Sequence, residues 1–166
     1  MNIAIFIDIM LISIDIGDTL INRKLKKIPV NEDLVSPIFK DAFKVLERQK
    51  KLKNRLAIIS KIEPGEEPRL MLNLFYHKLV PKLISTKDVH FCFTRKAKGP
   101  VAKKIKSFVH IDDRIEALNA VHKAGVPNKI LFVGSHDESK EFKPSFKNIL
   151  VAKNWHEVEK ILRSLE

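Results

Sequence analysis

The chain has 166 residues, 45% of them apolar and 31% charged, which suits one globular domain with a single core, or one domain plus a small appendage, and excludes a disordered chain. Its one cysteine, Cys92, excludes a disulfide framework, argues against a thiolate metal site and fits a reducing cytoplasm. Lys and Arg number 31 against 20 acids, a net charge of +11 that favours phosphate-bearing partners without dictating a fold.

The first 14 residues are apolar but carry Asp8 and lack a basic start and a small-residue cleavage site. They read as strands over 3–7 and 11–16, not as a leader. Met10 is an alternative start, because "MLISIDIGDTL" makes a complete strand by itself. Ser36-Pro37 reads as an N-cap with proline at the first helical position, and Ile38, Phe39, Ala42, Phe43 and Leu46 then share a face. A strand follows at 56–60. Leu70, Met71, Leu74 and Phe75 mark a second helix, which Pro81 stops. Strands at 89–93 and 108–111 flank a helix opened by "RKAKG", 95–99. Ile115, Leu118 and Val121 mark the next helix, ended by Gly125 with Pro127 beyond. Strands at 129–133 and 148–151 precede a last helix, with Asn154 and Glu157 as a capping box. The strands are apolar at nearly every position, as strands buried on both faces are. Alternation with helices implies a doubly wound, mostly parallel α/β sheet, here a single domain over 1–166.

The basic residues gather at 23–27, 44–55 and 95–106. A solvated lysine-rich surface is the favoured reading. Nucleic-acid binding is compatible with the charge, but one Tyr and one Trp give little to stack bases on. No uncharged apolar run approaches the ~18 residues that span a membrane.

Doubly wound sheets bind ligands at the carboxyl ends of their strands. Asp15 ends one predicted strand, Ser60 another, and Asp112 and Asp113 a third, with Lys98 opening the helix before it. An aspartate there is a nucleophile or metal ligand, paired aspartates offer hard oxygens to Mg²⁺, a serine hydroxyl bonds a phosphoryl oxygen, and a lysine neutralises charge. Alone, each residue is more often a turn former or helix cap. Their order, each just past a strand, points instead to phosphoryl transfer onto an aspartate.

On these residues the sequence resembles the haloacid dehalogenase-like superfamily. "SIDIGDTL" looks like its first motif, "LAIIS" its second, Lys98 its third and "HIDDR" its fourth. More narrowly, "HFCFTRKAKGPVAKKI" running into "HIDDR" resembles small, cap-poor members. The resemblance implies a Rossmann-like fold and a Mg²⁺-dependent phosphatase. It makes Asp15 the nucleophile, with Ser60 and Thr19 orienting the phosphate and Lys98 stabilising the intermediate. Lys96 is the substitute for Lys98. Asp15, Asp112, Asp113 and the carbonyl of Gly17 would hold the metal.

Gly17 stands where such phosphatases carry a second aspartate as general acid and base, and Ala117 stands where the fourth motif often has an acid. Loss of acid-base assistance costs ~10²–10⁴-fold. The alternative is therefore an impaired relative that binds a phosphorylated or nucleic-acid partner. The intervals 20–56 and 60–98 hold no cap domain, so the site is open. An open site suits a macromolecular phosphate, or a second subunit as cover.

Overall fold

The computed structural model describes residues 9–166. The strand expected over 3–7 lies outside the described residues. In chain order the elements are β1 (Leu11–Ile14), β2 (Ile28–Val30), β3 (Asp33–Val35), α1 (Ala42–Lys51), β4 (Arg55–Lys61), α2 (Glu67–Tyr76), β5 (Val89–Cys92), α3 (Lys98–Lys104), β6 (Val109–Asp112), α4 (Ile115–Lys123), β7 (Asn128–Phe132), β8 (Leu150–Ala152) and α5 (Trp155–Ser164).

Among the described residues six strands form one sheet in the order β5-β4-β1-β6-β7-β8, with every pair parallel. The chain builds outward from β1 through β4 and β5, then crosses to β6 and continues the other way. The winding reverses beside β1, which leaves a crevice at the carboxyl ends of β1 and its neighbours.

Both sheet faces are covered, which is why the strands read as continuous apolar runs. Ile12, Ile14, Leu56, Ile58 and Ile111 share one core with Ala42, Val45 and Leu46 of α1 and Trp155, Val158 and Leu162 of α5. On the opposite face Ile59 packs with Ala102 of α3 and Val121 of α4. Each such aliphatic side chain contributes ~1.5–3 kcal/mol by leaving water. Gly99 permits the tight packing of α3 on α4, since a Cβ there would stand 2.6 Å from the Ala120 carbonyl oxygen.

Three local expectations are corrected. Ser36-Pro37 does not open a helix: the helix starts at Ala42, after Asp41 in the left-handed region. Ser36 is instead buried, its N–H donating to Asn73 Oδ1 and its carbonyl 2.7 Å from His77 Nε2. The second helix ends at Tyr76, before Pro81, where Lys78 takes a positive φ. The interval 20–56 holds a β-hairpin, β2–β3, besides its helix. The C-terminal capping box is present: Asn154 Oδ1 accepts the Glu157 N–H, and Glu157 Oε2 accepts the Lys153 N–H.

Among the described residues no inserted cap domain appears. The interval after β1 holds the hairpin and α1, and the interval after β4 holds α2. No helix there is long and apolar enough to cross a membrane.

Candidate active site

The parallel register brings the strand-end residues together. Ile14 lies opposite Ile58 of β4 and Ile111 of β6, and the Asp15 N–H donates to the Ile111 carbonyl. The chain then leaves the sheet, so the Asp15 side chain projects into the crevice between Ser60 and Asp113. Ser60 Oγ donates to Asp15 Oδ1 at 2.9 Å, and Lys98 Nζ lies 2.7 Å from the same oxygen. Among the described residues, Asp15 Oδ2 accepts no hydrogen bond, so one carboxylate oxygen is clamped and the other is left for chemistry.

Lys98, only 2% exposed, also binds Asp112 Oδ2 at 2.5 Å. Burial would push its pKa down, but Asp112 and Asp15 outweigh burial and raise it. Lys98 is thus held as a cation. Lys96 makes no such contact.

The paired aspartates divide their work. Asp112 is fully buried and spoken for: Oδ2 takes Lys98 and lies 3.1 Å from His110 Nε2, and Oδ1 accepts the Arg114 N–H. Burial favours its neutral form, yet Lys98 and then His110 hold its pKa down at about 2. Asp113 faces the cleft and touches Arg114 Nε at 3.1 Å. Burial, then Asp112, then Asp15 push its pKa up to about 8. Burial is also the main cause of the raised pKa of Asp15, with Lys98 opposing it. Asp113 does not cap α4. That end is satisfied by Asp112 and by Glu138 Oε2, which accepts the Ile115 N–H.

His110 reaches further back. Its Nδ1 lies 2.8 Å from Ser13 Oγ, which is 2.6 Å from Ser107 Oγ. This buried polar chain explains the serine in the middle of β1, and it braces Asp112 from behind. Thr19 is placed differently from the expectation of a phosphate-orienting residue. It is fully buried, absent from the cleft wall, and among the described residues its Oγ1 has no hydrogen-bond partner. Its carbonyl accepts from Trp155 Nε1.

Position 17 is occupied in a way that the sequence did not disclose. Asp18 takes φ 57°, and its carboxylate turns to hold Arg23, through the backbone N–H at 3.1 Å and Nε at 3.0 Å. That brings the guanidinium over Gly17, where a Cβ would meet Arg23 Cζ at 2.9 Å. Arg23, Glu138, Arg114 and His110 are the site residues missed from sequence. Only the "RKLKK" cluster at 23–27 hinted at the first.

The cleft encloses about 190 Å³ and opens between the hairpin and the start of α2. Asp15, Asp112 and Asp113 place carboxylate oxygens within 4.8 Å of one another. Lys98 bonds Asp15 and Asp112, and Arg114 bonds Asp113, so each of the three buried acids already has a cation beside it. Clustered hard carboxylate oxygens are the donor set that Mg²⁺ takes.

No protein-family model and no curated protein matches the sequence. Solved structures do match the fold. The chain superposes on a D,D-heptose 1,7-bisphosphate phosphatase from B. bronchiseptica, complexed with magnesium and phosphate, with a TM-score of 0.68 at 12% identity, over 95% of this chain and 100% of that one. A haloacid dehalogenase superfamily hydrolase from Ehrlichia chaffeensis gives 0.62 at 14% identity, over 93% and 96%. A haloacid dehalogenase-like protein of unknown function from Agrobacterium tumefaciens gives 0.63 at 12%, over 95% and 99%. The fold is therefore that of the haloacid dehalogenase-like hydrolases, as the four motifs implied.

Proposed function

We propose that the protein is a phosphohydrolase that transfers a phosphoryl group to Asp15 and then to water. The observation that carries this reading is the asymmetric clamp on Asp15. Two donors from separate elements hold Oδ1, and among the described residues Oδ2 is left unbonded at the cleft. An oriented carboxylate of this kind is poised for attack on phosphorus. In the first step Oδ2 bonds to phosphorus, and the bond to the leaving oxygen breaks. Lys98 and the Ser60 hydroxyl stabilise the charge on the transferred group. In the second step water displaces the aspartyl oxygen, and phosphate is released.

Asp15, Asp113, Asp112 and the Gly17 carbonyl are the groups proposed to hold Mg²⁺, with Asp113 the most available of the acids. The ion, when bound, neutralises phosphoryl oxygens and offsets the crowding of the carboxylates. The chain's own part is to fix Asp15 and keep Lys98 charged beside it. His110 and Ser13 serve as positioning residues for Asp112. The heptose bisphosphate phosphatase, complexed with magnesium and phosphate, supports the choice of substrate and metal class by analogy of fold.

The test is hydrolysis of p-nitrophenyl phosphate and acetyl phosphate, with and without Mg²⁺, by wild type and Asp15→Asn. Metal-dependent turnover lost in the variant is the expected result. Turnover retained by Asp15→Asn overturns the reading. One observation favours the second reading, a binding protein without turnover: no carboxylate stands at position 17. Phosphate or phosphorylated ligands binding tightly, with no release of product from either compound, would establish it.

A further inference from the structure

Resting on the phosphohydrolase reading, we infer that the substrate is a phosphoric anhydride, whose leaving group departs as a phosphate anion received by Arg23 and Lys27. The inference starts from what stands over Gly17, the position where the resemblance leads one to expect a proton donor. A phosphate ester leaves as an alkoxide and needs a proton donor there. This cleft presents a guanidinium instead. Arg23 lies over Gly17, its Cζ 2.9 Å from where a side chain at 17 would begin. It is fixed by Asp18 through its backbone N–H, Nε and Nη2. Among the described residues its Nη1 makes no hydrogen bond. An arginine does not give up its proton at any ordinary pH, so it cannot act as the acid. It can stabilise an oxygen that leaves with its charge, and bidentate donation suits a phosphate.

Lys27 extends the same surface. It lines the cleft from the same loop as Arg23, and among the described residues its Nζ bonds only the Ser36 hydroxyl, at 2.5 Å. Among the described residues Arg23 is paired with Asp18 but keeps Nη1 free, and the other cleft cations outside the Asp15 clamp are paired with acids as well: Lys61 with Glu63, Arg69 with Glu66, Arg95 with Glu116, and Arg114 with Asp113 and Glu138. Among the described residues Lys27 has no carboxylate partner, so it is the cation left to meet a charge on the ligand. Arg23 and Lys27 of the "RKLKK" run thus both line the cleft that Asp15 enters. A phosphate leaving group satisfies both. An alcohol satisfies neither.

The chemistry balances without a general acid. The carboxylate oxygen of Asp15 bonds to the terminal phosphorus. The bridging P–O bond breaks, and its electron pair stays on the bridging oxygen as the leaving phosphate anion. Water then attacks the aspartyl phosphate and the P–O bond to Asp15 breaks. One water proton stays on the released phosphate and the other goes to solvent. The leaving groups of a P–O–P anhydride need no proton near neutral pH, so the loss of an acid at 17 costs this substrate little.

The experiment measures phosphate release by the full chain with Mg²⁺ from inorganic pyrophosphate, ADP, acetyl phosphate and glycerol phosphate, in wild type, Arg23→Ala, Arg23→Gln and Lys27→Ala. It also measures pyrophosphate binding to Asp15→Asn, with and without Arg23→Ala, by calorimetry. We expect kcat/KM for pyrophosphate or ADP to exceed that for glycerol phosphate by at least ~10²-fold, the value of acid assistance to an ester. Removing the Arg23 charge should lower anhydride turnover ~10–100-fold, as loss of a charge-assisted hydrogen bond does. Pyrophosphate affinity should fall in parallel. Arg23→Gln keeps a donor to Asp18 and so separates lost charge from a disturbed loop. A preference for pyrophosphate over ADP would mark a free diphosphate as substrate, and the reverse a nucleotide. Asp15-dependent hydrolysis of acetyl phosphate without anhydride preference, or without an Arg23 effect, overturns this inference and leaves the nucleophile assignment standing. No turnover of any compound removes both.

Discussion

Installing a carboxylate at position 17 tests how the leaving-group side of the cleft works. If a missing proton donor were the only defect, Gly17→Asp would by itself restore ester hydrolysis by the ~10²–10⁴-fold that acid-base assistance supplies. The structure predicts otherwise. A Cβ at 17 lies 2.9 Å from Arg23 Cζ and 3.1 Å from Nε and Nη2. The clash is with the far end of a flexible side chain, so the variant folds, but its new carboxylate meets a guanidinium before it meets substrate. The ion pair turns the acid away from the leaving oxygen. Gly17→Asp alone should therefore raise glycerol phosphate hydrolysis by less than ~10-fold, and Gly17→Asp combined with Arg23→Ala by ~10²-fold or more. The assay is phosphate release in Mg²⁺. A single variant that equals the double variant refutes the capture of the new acid by Arg23. A double variant with no gain, in a protein that still hydrolyses acetyl phosphate, refutes the idea that position 17 limits ester chemistry.

Other consequences are smaller in scope. Lys98→Met leaves Asp15 and Asp112 buried without their shared cation, which should cost ~3–5 kcal/mol in urea unfolding and abolish turnover; an unchanged midpoint would show that the buried pair is dispensable. Mg²⁺ should raise the melting temperature, by the equivalent of ~2.7 kcal/mol at a hundredfold excess over Kd, and Asp113→Asn should remove most of that increment. Thr19→Val replaces a buried hydroxyl that has no partner among the described residues, so stability should hold or rise and turnover should persist; a large loss of turnover would restore Thr19 to the phosphate site. Arg48 first, and then Arg163, hold the Glu159 carboxyl below its usual range. Its folded pKa is depressed, so its contribution to stability is present above the unfolded value and is lost as pH falls through the folded one. Glu159→Gln should flatten that part of the acid limb of a melting-temperature profile, and an unaltered limb would count against it.

The strands and their polar ends were legible because a strand buried on both faces has a plain signature. A lone Asp or Ser closing such a run stands out against it, as at Asp15 and Ser60. The helix ends at Gly125 and Asn154 were legible from local chemistry, a positive φ and a reciprocal cap. The hairpin was not, since "IPVNEDLV" contains a proline, two acids and a turn at Asn31, and too few apolar residues to mark a strand. Ser36-Pro37 misled because the same residues that cap a helix also serve a loop docked on Asn73 and His77. Arg23 was beyond local reading. Its place over Gly17 follows from Asp18 turning back to grip it, a contact made only after the chain bends. The different duties of Asp112 and Asp113 likewise depend on which of two adjacent side chains faces Lys98 and which the cleft.

The central claim is that Asp15 takes up phosphate, and the most direct measurement is to find it there. The protein is incubated with labelled acetyl phosphate and Mg²⁺, quenched in acid, reduced with borohydride and digested. The account predicts label in the quenched protein that is absent from Asp15→Asn, and homoserine at position 15 in the reduced peptide. Hydrolysis that proceeds with label on another residue, or with none trapped under conditions of steady turnover, would contradict it.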